Sequence, residues 1–406
     1  MAIAIIYMAK EFNWSPKIQG FVSSSFYFGY LMTQIIGGAL TDKFGAAAIW
    51  TLFTLLTPIS AGINLYILIL CRVCLGIGEG VYFPCIHSLI SKWFPPQERT
   101  RAVSTVSVAT FIGMVIAMPI SNLLSSSQFG WKSIFWVFSI IGFIWSVFWY
   151  FYGKSDPRDY SGISKDELDW ILGSKSISKS AVCSEDNLAH YQSYPSKHVV
   201  NIDDNHDNPQ SENDMLLPKG QKSLRSHKIQ KIPWKLLFSR REVWAIMIGH
   251  WFNGWGFFIL VNWLPVFYYE HFHVDINLIG YYTALPYILF IITGVIVGYI
   301  CDYAINQLKI RVITVRKTAC IIAGSGLSLC LLLVTYWAKT SYEGLLIMTI
   351  GYALYSFYIS GLDIAPKYAG VICGIGSTCG LIPAFFGVAL TGWILEVTNN
   401  DWSIIW

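Results

Sequence analysis

Charged side chains are scarce in this chain of 406 residues. Asp, Glu, Lys and Arg make up 13% of it, whereas an ordinary soluble domain carries about 25%. The hydrophobic set AVILMFWYC accounts for 54%, and the mean hydropathy is +0.49. This composition excludes a soluble globular protein and predicts an all-α polytopic membrane protein. The net charge of +4 is too small to suggest a nucleic-acid partner.

The sequence also lacks the residue clusters that mark metal sites and catalytic centres. Eight of the nine cysteines lie in or at the ends of apolar segments, which predicts buried reduced thiols. Cys71 and Cys74 are three residues apart, but no second pair follows at zinc-site spacing. We find no nucleophile–base pair and no carboxylate dyad. We therefore expect no enzyme activity, no metal and no cofactor.

The N-terminus has neither the basic start nor the cleavage site of a signal peptide. It begins with MAIAIIYMA, whereas a complete membrane span needs about 20 apolar residues. After the last long apolar segment only DWSIIW remains. We therefore expect a chain that is truncated in its first and in its twelfth membrane helix.

Apolar segments of spanning length recur on both sides of one long polar stretch. Residues 1–153 are predicted to form a half with helices 1 (partial) to 6, and residues 242–406 a half with helices 7 to 11 and the start of helix 12. Residues 154–241 are polar and poor in aromatics, which predicts a largely disordered linker in which SKDELDWIL forms a short amphipathic helix. The predicted complete spans are Ile18–Leu40, Ala46–Ser60, Leu65–Ile90, Val103–Leu124, Ile134–Tyr152, Val243–Tyr268, Leu278–Cys301, Thr314–Tyr336, Gly344–Ser360 and Tyr368–Leu395.

The basic residues of the loops predict the orientation in the membrane. One set of short loops carries nine Lys and Arg, the opposite set carries four, and the linker adds 14 on the side of the nine. Because Lys and Arg concentrate in cytoplasmic loops, we expect the linker to be cytoplasmic. The choice between a plasma membrane and an organelle membrane stays open.

The fourth span contains charges that an apolar helix tolerates poorly. Arg72 and Glu79 are seven residues apart, or two helical turns, and therefore share a face. Phe83 and His87 fall within about a quarter-turn of it, taking about 100° per residue. An ionised side chain in mid-membrane costs about 2.5–3.5 kcal/mol on insertion scales. Two on one face predict a polar interior path.

Two six-helix halves joined by a long cytoplasmic linker resemble the major facilitator superfamily, whose substrate sites lie between the halves. The turn Asp42-Lys43-Phe44-Gly45 resembles that superfamily's loop motif, although Ala46–Ala48 stand where a closing basic residue is usual. Asp302 holds the equivalent place in the second half. An aspartate at a helix end can pair with a loop arginine, so we predict gating roles for Asp42, Lys43, Asp302, Arg316 and Asp363.

A narrower resemblance covers nearly the whole chain except the linker. RVCLGIGEGVYFPCIHSLISKWFPPQERTRA resembles helix 4 of the anion–cation symporters, which include type I sodium–phosphate, sialin, vesicular glutamate and plant plastid phosphate transporters. WSPKIQGFVSSSFYFGYLMTQIIGGALTDKFG resembles their helix 2, and LDIAPKYAGVICGI their helix 10–11 junction. The resemblance implies that Arg72 faces an anionic substrate and that Glu79 takes part in coupling to Na⁺ or H⁺. A structural network joining helices is the alternative role for this pair.

Departures from the family pattern bear on the substrate. Ser23 and Asn253 stand where vesicular glutamate transporters carry a histidine and an arginine, which argues against a glutamate-type site. Ser360-Gly361 replaces the family's Asn-His and puts that pair's role in doubt.

Further candidates come from the residues themselves. Tyr27, Tyr30 and Asn253 are predicted to contact substrate, and Trp251, Trp255 and Asn262 are candidate lining residues. His87 is either a coupling residue or hydrogen-bonded structure. His271 and His273 lie in an outer loop and favour a solvated face over a metal site.

The favoured hypothesis is a secondary active transporter of inorganic phosphate or a small organic anion, embedded in lipid and coupled to Na⁺ or H⁺. Two alternatives stay open: a non-transporting receptor or scaffold, and a vesicular or lysosomal carrier of sialate, glutamate or nucleotide.

Overall fold

A computed structural model of the chain describes residues 1–36, 46–95, 98–172, 238–356 and 369–406. Within these ranges the chain contains helices and no strand, which confirms the predicted all-α class. The helices are α1 (Ala4–Phe12), α2 (Pro16–Ile36), α3 (Ala46–Ile63), α4 (Leu65–Glu79), α5 (Tyr82–Trp93), α6 (Arg99–Ser125), α7 (Lys132–Tyr152), α8 (Lys165–Leu172), α9 (Arg241–Glu270), α10 (Ile279–Asn306), α11 (Val312–Tyr336), α12 (Ser341–Tyr355) and α13 (Ala369–Val397).

Seven helical stretches in the described residues are long and apolar enough to cross a membrane. They are Leu65–Trp93, Arg101–Ser125, Lys132–Tyr152, Val243–Glu270, Ile279–Asn306, Val312–Tyr336 and Gly374–Val397. The prediction of a multi-pass membrane protein is therefore confirmed. The short helix predicted from SKDELDWIL is α8. Most of the predicted disordered linker, at residues 173–237, lies outside the described residues, as do Asp42, Lys43 and Asp363.

The fourth predicted span is interrupted, whereas the sequence predicts one continuous helix there. α4 ends at Glu79, and α5 begins at Tyr82. Pro84 explains the interruption, because it has no N–H to donate to the carbonyl of Gly80. Normal helical bonds continue on either side, from Gly80 N–H to the Gly76 carbonyl and from Cys85 N–H to the Val81 carbonyl. The polypeptide therefore keeps its direction through the interruption.

Small residues bring α2 and α4 into backbone contact. A Cβ at Gly76 would lie 2.0 Å from the carbonyl oxygen of Phe26, and one at Gly29 would lie 2.0 Å from that of Val73. Glycine at these positions lets two membrane helices approach more closely than larger side chains allow. This contact determines which side chains of α2 face Arg72, one turn before Gly76.

The two sets of helices also meet through α2. Gly20 of α2 and Gly392 of α13 approach so closely that a Cβ at Gly392 would lie 2.4 Å from the carbonyl oxygen of Pro16. A second junction joins α6 and α10, where a Cβ at Gly280 would lie 2.6 Å from the Cβ of Asn122. α2 therefore packs on α4 in its own half and on α13 in the other.

We predict that Gly76→Ala destabilises the protein, because the added methyl group would overlap the Phe26 carbonyl oxygen. Overpacking of this kind typically costs about 1–3 kcal/mol. Size-exclusion chromatography after heating should show that half of the folded variant is lost at a temperature several degrees below that of wild type. Gly113→Ala is the matched control, because nothing lies within 4 Å of its Cβ position. Equal midpoints for the two variants would contradict close α2–α4 packing.

Candidate functional site

Arg72 is buried on α4 and faces α2. The residue is only 7% exposed, and its guanidinium carbon lies 5.2 Å from the centroid of the Phe26 ring. A guanidinium over an aromatic face gains about 2 kcal/mol when both are desolvated. The Nε atom of Arg72 has no hydrogen-bond partner among the described residues. Arg72 is therefore held by stacking and retains an unused donor.

Glu79 lies two turns further along α4, at its last residue. It is half-buried and interacts electrostatically with both Arg72 and Tyr30. Tyr30 is buried on α2 and packs against Phe26 with ring centroids 5.8 Å apart. No ion pair joins Arg72 and Glu79 within N–O contact distance in the described part of the chain. The two charges are therefore neighbours without neutralising each other directly.

Tyr27 connects this group to the other half of the molecule. Asn262 on α9 donates a hydrogen bond from Nδ2 to the Tyr27 hydroxyl oxygen, at 2.8 Å. The Tyr27 ring packs edge-on against Phe258, with centroids 5.1 Å apart. The structure thus brings together Arg72, Glu79, Tyr27, Tyr30 and Asn262.

Asn253 belongs to a separate polar group in the second half. Its side-chain carbonyl accepts a hydrogen bond from the hydroxyl of Tyr355 on α12. Nearby, the Tyr352 hydroxyl donates to that of Tyr287 on α10, at 3.2 Å. These contacts lie wholly within α9, α10 and α12. The described contacts do not bring Asn253 to Arg72, and its role in substrate binding stays a prediction.

No described contact joins Arg72 to the other predicted site residues that the structure describes. His87 is exposed on α5, although helical periodicity places it close to the Arg72 face. Asp302 is exposed near the last turn of α10, and Arg316 is half-buried near the start of α11, the helix that follows it. These two predicted gating residues therefore share one end of the second half. Trp251 is exposed and Trp255 half-buried on α9.

Several polar contacts between the halves lie at the ends that the loop charges assign to the outer or lumenal side. A Glu396 carboxylate oxygen accepts from the Lys17 backbone N–H at 3.2 Å, and Asn122 Nδ2 donates to the Asn277 carbonyl at 2.6 Å. Lys10 lies 4.4 Å above the Tyr269 ring. Among the described side chains of α6, only Asn122 and Ser125 are buried, both at its outer end. Among the described residues, the halves are therefore joined at their outer ends as well as in mid-membrane, where Phe111 packs against Phe257 and Phe290.

The outer-loop histidines are exposed, in agreement with a solvated face. Partial burial, together with the neighbouring His273, lowers the pKa of His271 from its ordinary value. This histidine is therefore largely neutral at pH 7. In the described ranges, no three His, Cys, Asp or Glu side chains are grouped to hold a metal ion.

Sequence reasoning missed Phe26 and Phe258, the two aromatic side chains that frame the site. Phe26 shares a helical face with Tyr30, four residues on, which is a usable but weak signal. Phe258 gives no such signal, because its contact with Tyr27 depends on how α9 packs against α2.

The family model of the Major Facilitator Superfamily matches residues 1–388. Among curated relatives, a probable anion transporter 4 (chloroplastic) of Oryza sativa subsp. japonica is 32% identical over 99% of this chain and 61% of its own length. The chloroplastic ascorbate transporter of Arabidopsis thaliana is 32% identical over 99% of this chain and 67% of its own. The sodium-dependent phosphate transport protein 1 (chloroplastic) of Arabidopsis thaliana is 30% identical over 99% of this chain and 71% of its own length.

Solved structures agree on the architecture. A D-xylose–proton symporter superposes with a TM-score of 0.64 at 13% identity, over 99% of this chain and 89% of its own. At that identity the likeness concerns the fold alone. The chain spans less than two thirds of the length of the rice relative and about two thirds of that of the ascorbate transporter.

Proposed function

Because the chain belongs to the major facilitator superfamily, in the anion–cation symporter group that its motifs resemble, we propose that it is a secondary active transporter of inorganic phosphate or a small organic anion. The superfamily match and the anion-transporter relatives also mean that it is not an enzyme. The observation that carries the proposal is Arg72, a buried guanidinium with an unpaired Nε beside the junction of the halves.

Arg72 supports an anionic substrate on physical grounds. A buried cation without a counter-charge is costly, and a bound anion removes much of that cost. A guanidinium also presents its N–H donors in a planar fork that matches carboxylate and phosphate oxygens. Relatives are named for phosphate and for ascorbate, whose charge is an enolate and not a carboxylate, so both anions are substrates to test here.

Glu79 is the proposed coupling residue. Its carboxylate lies on the same helix as Arg72 and interacts with it electrostatically without forming an ion pair. Taking up Na⁺ or H⁺ at Glu79 would change the field at Arg72 and thereby link the ion to the anion. Alternating access would then exchange the outer contacts between the halves for contacts on the opposite side.

Several relatives are named as chloroplastic, so we propose an organelle membrane rather than the plasma membrane. A tagged full-length version should co-localise with an organelle envelope marker. Exclusive labelling of the cell surface would contradict this assignment.

We predict that Arg72→Ala abolishes anion uptake into proteoliposomes, because it removes the buried cation. Arg72→Lys keeps the charge but loses the planar fork, so its KM should rise about tenfold. Phosphate, ascorbate, glutamate, sialate and nucleotide are tested separately.

Arg158→Ala, at an exposed arginine paired with Asp156, is the matched control. Uptake by Arg72→Ala at the wild-type rate would refute the anion-binding role, and binding without accumulation by wild type would favour the receptor alternative.

We predict that Glu79→Gln weakens the dependence on the ion gradient more than the affinity for the anion. Uptake is measured under separate Na⁺, pH and voltage gradients, beside exchange of internal for external anion. The variant should keep exchange and lose uphill accumulation. Glu167→Gln on the exposed helix α8 should behave like wild type. If Glu79→Gln still accumulates anion to the wild-type level, Glu79 does not couple transport.

A further inference from the structure

The hydrogen bond between Tyr27 and Asn262 joins the two halves beside Arg72. Tyr27 and Asn262 are 8% and 9% exposed, and Nδ2 to hydroxyl oxygen is 2.8 Å. The residues are 235 positions apart in sequence. A buried polar contact of this kind helps to fix the orientation of both side chains, because breaking it would leave one amide hydrogen of Asn262 and the Tyr27 oxygen without a partner.

The direction of this hydrogen bond is the informative detail. Asn262 donates from Nδ2 to Tyr27 and also to the Phe258 carbonyl, each at 2.8 Å, so both of its amide hydrogens are used. Tyr27 is therefore the acceptor in this bond, and its own O–H hydrogen remains available to donate to another group. That hydrogen has no acceptor among the side chains and backbone that the structure describes, and Nε of Arg72 likewise has none.

Two buried donors without acceptors are unfavourable by themselves. An unsatisfied buried polar group costs about 1–3 kcal/mol, and more when it is charged. An oxyanion offers several lone pairs and negative charge, so it can accept from both donors at once. Phe26 supports this arrangement, because its ring packs on Tyr27 and under Arg72, at 5.2 Å in each case.

We infer that the Tyr27 hydroxyl is the second ligand of the anion bound at Arg72, and that Asn262 is the positioning residue that directs it. The inference rests on the proposed anion-binding role of Arg72. The substrate class that it names is an oxyanion with at least two acceptor oxygens, such as phosphate or the enolate anion of ascorbate. Because Asn262 belongs to the second half, the ligand set depends on how the halves are placed.

The test is a double-mutant cycle in proteoliposomes of the full chain, with phosphate and ascorbate as separate probes. Tyr27→Phe should raise KM about tenfold with little change in Vmax, as expected for loss of a hydrogen bond to a charged group. Asn262→Leu should raise KM about threefold in the wild-type background. In the Tyr27→Phe background it should change KM less than twofold, because the two residues act as a unit.

Tyr352→Phe is the matched control, since it also removes a buried hydroxyl, here from the bond to Tyr287. Its KM should stay within twofold of wild type. Calorimetric binding of both probes is measured on each purified variant, so that a folded protein that does not transport still gives an answer. A rise in the dissociation constant on Tyr27→Phe that parallels the rise in KM supports the inference.

The outcomes separate this inference from the proposed function. If Arg72→Ala abolishes binding and Tyr27→Phe leaves both constants unchanged, only the Tyr27 role is overturned. If Asn262→Leu raises KM equally in both backgrounds, the positioning role is overturned. If wild type neither binds nor transports either probe, the anion-binding function and the inference fail together.

Discussion

The burial of the Arg72 guanidinium is the constraint on which the rest of the site depends. A cation inside a bundle of apolar helices needs either an opposite charge or a polarisable surface. The protein supplies the ring of Phe26 and places Glu79 near it without closing an ion pair. The charge is thus tolerated but not neutralised, which is the property that an anion-binding site requires.

Helix α2 supplies most of the side chains that surround Arg72 and also contacts the second half. Gly29 on α2 and Gly76 on α4 let the backbones of these two helices touch. The aromatic residues of α2 therefore lie beside the charged residues of α4; they are Phe26, Tyr27 and Tyr30. The same helix touches α13 at Gly20 and α9 through Tyr27. One helix therefore links the charged residues of the first half to the second. A rocking movement of the halves would therefore change the surroundings of the proposed anion site through α2.

The second half contributes neutral polar groups, and one of them, Asn253, stands where vesicular glutamate transporters carry an arginine. Asn253 is bonded to Tyr355, and Asn262 to Tyr27. Neither brings a positive charge, so Arg72 is the one buried Lys or Arg side chain among the site residues that the structure describes. This charge balance fits an anion of low charge, and it agrees with the phosphate and ascorbate carriers among the relatives.

The positions of seven of the ten predicted spans agree with the apolar helices of the described residues, because a bilayer of fixed thickness selects apolar runs of a given length. Arg72 and Glu79 could be placed on one face, because helical periodicity is a local property. The tertiary structure alone decided that Phe26 covers Arg72, that Asn262 reaches Tyr27, and that His87 is exposed beyond the interruption at Gly80. A helix turns its residues by a known angle, but the neighbour that meets each face is chosen by close packing between segments far apart in the chain.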